Sequence, residues 1–199
     1  IDECLGHVLD ALVDSPYADN TIIILWSDHG WHLGEKLHWR KFSLWEEGTR
    51  TVLLFSGNQI KASRVCERPV NLIDIYPTLI DLCGLPENSS LEGRSIAVLL
   101  SDPQKAWPYQ SLTTFGQNNH ALRSERWRYI RCSDGTEELY DHREDPLEWD
   151  NLIDQPSSAE IVKPFQPWLP EFNLPNIPFV EGNAKKVYDL WVDALKDIP

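Results

Sequence analysis

Residues Thr21–Ser27 (TIIILWS) are an uninterrupted β-branched and apolar run, and Thr51–Ser56 (TVLLFS) repeats the pattern. Runs of this kind mark strands buried on both faces, the situation of a parallel sheet packed between helices. The segment between them has little apolar periodicity, and so long a loop in a compact domain is usually functional. Ahead of the first run, Ile1, Leu5, Val8, Leu9, Leu12 and Val13 recur at helical spacing, and Ser15–Asn20 reads as a turn. Beyond the second, Asn71 is the predicted N-cap of a helix that tolerates Pro77 in its first turn and stops at Gly84. Helix, strand, loop, strand and helix in that order indicate an α/β layer with the sheet inside.

The pattern changes near residue 100. Ser111–Phe115, Ala121–Arg123, Trp127–Cys132 and Glu138–Asp141 are short candidate strands, two of them flanking the turn signal Ser133-Asp134-Gly135. They predict a small antiparallel α+β subdomain, which places one domain over 1–105 and a second over 106–199. Pro156–Pro178 is proline-rich and predicts an extended wrap, followed by a helix with Val187, Leu190, Trp191, Ala194 and Leu195 on one face.

Composition excludes some functions. The net charge is −13 and Lys and Arg are scattered, so nucleic acid is not an expected partner and any anion site must be built locally. No apolar run approaches the roughly 18 to 20 residues of a membrane span. Cys4, Cys66, Cys83 and Cys132 show no metal-ligand spacing; free or buried thiols are expected, with one disulfide left open. The chain holds no methionine, position 1 included, and is expected not to be an intact translation product.

Chemistry concentrates in Ser27–Lys41 (SDHGWHLGEKLHWRK). Asp28 and His29 follow a strand end, where open α/β sheets place their ligands, and Gly30 permits a sharp turn or a close backbone approach. Two consecutive metal-ligand types there can point into one crevice. Equally, Asp28 could open a turn and His29 could be a packed histidine.

This segment resembles the second half of the active site of type I sulfatases of the alkaline phosphatase superfamily, in the branch with iduronate sulfatase and choline-sulfatase-like enzymes. Val70–Leu79 (VNLIDIYPTL), Leu91–Ser95 (LEGRS), Asn119–Arg131 and Glu138–Leu152 (ELYDHREDPLEWDNL) extend the likeness over roughly residues 1–152. It implies the C-terminal portion of an alkaline-phosphatase-like α/β sandwich, with residues 1–105 belonging to the catalytic domain. It also implies hydrolysis of a sulfate monoester on a small molecule or carbohydrate, with one calcium ion held in part by Asp28 and His29. Lys41 would contact the sulfate as a catalytic residue. Calcium prefers oxygen ligands, so Asp28 suits it and His29 enters on the family pattern alone.

The family's nucleophile is a formylglycine made from C-x-P-x-R or a serine equivalent, and no cysteine here fits; Ser101-Asp-Pro-Gln-Lys105 is rejected for its lysine and its place. The nucleophile and the remaining calcium ligands are therefore expected on an N-terminal part of the same enzyme, which becomes this chain's partner. The resemblance suggests a periplasmic, secreted or lysosomal location. Three further residues, His120, Trp31 and His32, are candidates for contact with the substrate, or else packed side chains. His7 and His142 read as structural or solvated, and Trp168 and Trp191 as core anchors. The competing readings are a metal-dependent phosphoesterase of the same superfamily and a catalytically inactive structural or interaction fragment.

Overall fold

A computed structural model of the chain describes residues 1–57, 60, 63–176, 189, 192–193 and 196. In chain order its elements are α1 (Asp2–Val13), β1 (Ile23–Trp26), β2 (His32–Leu33), β3 (Trp39–Arg40), α2 (Glu46–Thr49), β4 (Leu53–Ser56), α3 (Ile75–Leu82), α4 (Ala97–Ser101), β5 (Ser111–Thr114), β6 (His120–Arg123), β7 (Trp127–Arg131), β8 (Glu137–Asp141) and α5 (Ser158–Val162). They group into two compact units, residues 1–30 with 50–109, and residues 31–49 with 110–199.

In the first unit, α1 forms where the apolar spacing predicts it, with Asp2 and Glu3 in the first turn, where negative charge suits the helix dipole. None of its residues is buried. The two apolar runs pair with each other, but antiparallel: Ile23 lies opposite Ser56 and Trp26 opposite Leu53. This corrects the expectation of a parallel sheet. A continuous apolar run reports two nonpolar faces and says nothing about the direction of the neighbouring strand. Ile23 and Ile24 are half-buried here, and Leu25 and Trp26 are exposed.

The predicted cap at Asn71 is present. The Asn71 N–H donates to the Asp74 carboxylate at 2.9 Å across a 3₁₀ turn, Leu72–Asp74, that leads into α3. The other Asp74 oxygen accepts the Arg94 N–H at 2.8 Å, and Thr78 Oγ1 accepts the Ile96 N–H at 3.0 Å. These bonds fix the Leu91–Ser95 loop against the helix. Gly93 is required there, because a Cβ would stand 2.2 Å from the Ile73 carbonyl oxygen.

The second unit is built on the antiparallel meander β5-β6-β7-β8, with the predicted hairpin turn at Gly135 in left-handed backbone (φ 87°). Successive residues of β6, β7 and β8 alternate between two apolar layers. Leu122, Tyr129 and Leu139 pack with Val162 and Phe165, while Ala121, Ile130 and Tyr140 pack with Leu44. Both faces of the sheet are thus covered, one by α5 and its continuation, the other by the stretch just before α2.

The extended wrap is also corrected in part. Ser158–Val162 is helical and Lys163–Trp168 continues as a 3₁₀ helix with Pro164 in its first turn. A proline is tolerated there because that N–H needs no helical partner. Trp168 packs against the core as expected. The predicted terminal helix face, Trp191 included, lies outside the described residues. All four cysteines are free thiols. Among the described residues no helix is long and apolar enough to cross a membrane.

Candidate functional site

Asp28 and His29 follow the last residue of β1 by two and three positions, where the extended backbone ends and the two side chains no longer face opposite ways. Asp28 Oδ2 lies 3.4 Å from His29 Nε2. Ser27 Oγ donates to Asp28 Oδ1 at 3.3 Å, and His29 Nδ1 donates to the Gly30 carbonyl at 2.7 Å. A proton committed to Nδ1 leaves a lone pair on Nε2 beside the carboxylate, the tautomer a metal-ligating histidine needs. Two ligands of a cation with bonds of about 2.3–2.6 Å, set at right angles, stand about 3.3–3.7 Å apart. The pair therefore fits a shared divalent cation. Asp28 is largely exposed, its side chain at 78%, and His29 is half-buried.

Trp31, His32 and Lys41 belong to the second unit. His32 and Leu33 pair with Arg40 and Trp39 in a two-rung antiparallel ladder, which brings Lys41 to the end of a tight excursion. Its backbone is left-handed at Lys36, Leu37 and Arg40, with φ of 57°, 55° and 78°. Lys41 Nζ sits 5.6 Å from the Phe42 ring centre, and Trp31 is exposed. His32 is fully buried, its Nε2 2.7 Å from Ser43 Oγ and its ring edge-on to His38 and Trp45. Burial, and then the neighbouring His38, hold the His32 pKa below the ordinary histidine value.

His120 opens β6 and is fully buried. Its Nδ1 is 2.9 Å from Thr114 Oγ1 and its Nε2 is 2.6 Å from Asn173 Oδ1. Burial lowers its pKa as well. With both ring nitrogens engaged by protein, the imidazole ties the β5–β6 ladder to the segment around Asn173. The structure brings Asp28 and His29 together at one strand end, and gathers His32, Ser43 and Trp45 into the packing beneath the Lys41 excursion.

The sequence reading missed a buried charge cluster in the second unit. Glu46, His142 and Glu148 offer donor atoms within 4.8 Å of one another. Arg128 stands among them, pairing with Glu46 and, at 2.6 Å, with Glu148 Oε1, while Arg123 adds a contact to Glu46 at 3.3 Å. Burial pushes the Glu46 carboxyl up, but Arg128 and Arg123 outweigh it and hold it below the usual carboxylate range. Two arginines already neutralise these carboxylates, so the cluster is an ion-pair network and a poor host for another cation. Its members are separated by up to about 100 residues along the chain, and no local spacing marks them.

Three comparisons bear on identity. The Sulfatase family model matches residues 1–85. A sulfatase of Formosa agariphila is 41% identical over 173 residues, covering 87% of this chain and 34% of the relative. Arylsulfatase K of Danio rerio is 32% identical over 166 residues, covering 77% of this chain and 32% of the relative. A solved 2-O GAG sulfatase superposes with a TM-score of 0.72 at 27% identity, over 82% of this chain and 38% of that one. This chain thus spans about a third of the length of the relatives it matches. The family match over residues 1–85 and the structural match over most of the chain agree with the strand-end pair and the capped helix that follows: the chain belongs to the type I sulfatases of the alkaline phosphatase superfamily and carries a C-terminal portion of their α/β fold.

Proposed function

We propose that this chain supplies part of the active site of an enzyme that hydrolyses sulfate monoesters of small molecules or carbohydrates. The observation that carries the reading is the Asp28–His29 pair, whose Oδ2 and Nε2 atoms converge at 3.4 Å at a strand end while His29 Nδ1 is engaged by the Gly30 carbonyl. Asp28 and His29 would hold a calcium ion, with the remaining ligands and the formylglycine nucleophile on an N-terminal part of the same enzyme. Bound there, calcium would supply Lewis-acid polarisation of a sulfate oxygen. Lys41 presents an ammonium to the sulfuryl group and stabilises the negative charge that gathers on its oxygens as the ester bond breaks. Since the chain as a whole is acidic, this local cation must offset long-range repulsion of an anionic ester.

The test uses the full-length, matured enzyme on an aryl sulfate. Lys41→Ala should lower kcat about 10²- to 10³-fold, the loss typical of one deleted oxyanion donor. Calcium chelation should abolish turnover, and calcium should restore it. A Lys41→Ala enzyme with nearly normal turnover would remove Lys41 from the mechanism. Turnover of an aryl phosphate in preference to the sulfate would move the enzyme to the phosphoesterases.

A further inference from the structure

Residues 31–49 carry Lys41, and beyond their own two-rung ladder and the His32–Ser43 contact they are held by residues far along the chain. Three non-glycine residues, Lys36, Leu37 and Arg40, adopt left-handed backbone, a strained conformation that persists only where the surroundings impose it. The surroundings converge on one residue. Glu148 is 1% exposed and itself left-handed (φ 61°). Its carbonyl accepts a hydrogen bond from Lys36 Nζ, which also donates to Tyr140 Oη at 3.0 Å. Its carboxylate accepts the Glu46 N–H at 2.8 Å, at the start of α2. Glu148 therefore grips the excursion on both sides, and Lys41 lies midway between the two grips.

Other contacts orient that grip. Arg128 Nε and His142 Nε2 hold Glu148 Oε1 at 2.6 and 2.8 Å, and Arg128 Nη1 donates to the Leu44 carbonyl at 2.9 Å. Trp45 Nε1 and Tyr140 Oη both donate to Glu138 Oε2, at 2.8 and 2.5 Å. On the inner side, the backbone at Gly48 closes against the excursion itself. A Cβ there would stand 2.3 Å from Ser43 Oγ and 3.1 Å from the Lys41 carbonyl oxygen.

We propose that Glu148 is a positioning residue for Lys41: by tethering Lys36 and Glu46 it fixes the strained excursion in the one shape that aims the lysine. The inference rests on the reading of Lys41 as the sulfate contact. It assigns a task to the C-terminal sheet that lies beyond that reading, because β7 and β8 supply Arg128 and Tyr140 to the same grip.

A double-mutant cycle in the full-length enzyme tests it, with kcat, KM and melting temperature measured for Glu148→Gln, Lys41→Ala and the pair. Glutamine keeps the size and an acceptor oxygen but drops the charge that Arg128 and His142 hold. A displacement of about 1 Å at a reacting group can cost up to about 100-fold. Glu148→Gln should therefore lower kcat about 10- to 100-fold with little change in KM, and by less than about twofold once Lys41 is already alanine. Equal fold losses in both backgrounds would overturn the proposal, since a general loss of folded enzyme does not depend on Lys41. If Lys41→Ala alone leaves kcat intact, the sulfate-contact reading falls first, and the single variant shows it. Should Glu148→Gln not fold, Lys36→Met cuts the tether on the other side while leaving the buried ion pairs in place. The same coupling to Lys41 is expected of it, and additive losses would again overturn the proposal.

Discussion

The two β structures of this chain invite comparison. β1 and β4 are two four-residue strands paired only with each other among the described residues, with Leu25, Trp26 and Leu54 exposed. β5–β8 are four strands with apolar layers on both faces and Leu122, Tyr129 and Leu139 fully buried. The supports of the candidate residues differ in the same way. Asp28 and His29 are held by contacts with their immediate neighbours, Ser27 and Gly30. The Lys41 excursion is held by residues 93 to 112 positions away in the chain. A strand end brings two neighbouring side chains together through short-range contacts, whereas a lysine on an irregular loop also draws on a scaffold folded around it.

The comparison is broken most severely at Arg128, which is 3% exposed between Glu46 and Glu148. Arg128→Met removes the arginine that pairs with Glu148 and one of the two that pair with Glu46, and should destabilise the second unit by about 3–5 kcal/mol, read from its urea unfolding midpoint. A change below about 1 kcal/mol would mean that water reaches the pair.

Next come the apolar layers. Leu122→Ala, at a site of 0% exposure, should cost about 2–5 kcal/mol in the same measurement. Leu25→Ala in β1 should cost no more than about 0.5–1 kcal/mol in this chain. Amide exchange should show the same order, with β7 amides opening only in global unfolding and β1 amides opening locally. Equal protection in both strands would erase the distinction.

The smallest effect is in acid. Burial and the neighbouring His38 keep His32 less basic in the folded chain than the ordinary value of about 6.5 in the unfolded one, although Glu35 and Glu47 pull the other way. Above about pH 6.5 the residue is neutral in both states and stability is unaffected. As the pH falls below that value the unfolded chain takes up the proton first, so stability declines toward the lower folded value. His120 adds in the same direction. Glu46 acts in a lower window: its depressed folded value contributes stability above the ordinary carboxylate range, and that contribution is lost as pH falls through the folded value. His32→Gln should flatten the decline in unfolding midpoint between pH 7 and pH 5, and an unchanged slope would show that His32 does not titrate with unfolding.

Much of the framework was legible in the sequence because its signals are local. The spacing of Ile1 to Val13 produced α1, the cap at Asn71 and the stop at Gly84 bracketed α3, and Ser133-Asp134-Gly135 marked the β7–β8 turn. Asp28 and His29 could be singled out because adjacency at a strand end is itself a sequence property. The antiparallel pairing of β1 with β4 was not legible, since strand direction depends on how the chain returns and leaves no trace in an all-apolar run. The helical turns at Ser158–Trp168 were likewise hidden by prolines that serve a helix start as well as an extended wrap.

What the sequence by itself determined, then, is the family, the short-range elements and the adjacency of Asp28 and His29 at a strand end, because each rests on residues within a few positions of one another. Only the tertiary structure decided that residues 31–49 fold with the C-terminal sheet, that His120 is spent on Thr114 and Asn173, and that Glu148 grips both sides of the Lys41 excursion. Buried charges must find partners wherever the chain brings them, and a carboxylate that meets its arginine across the fold carries no mark of that meeting in its local sequence.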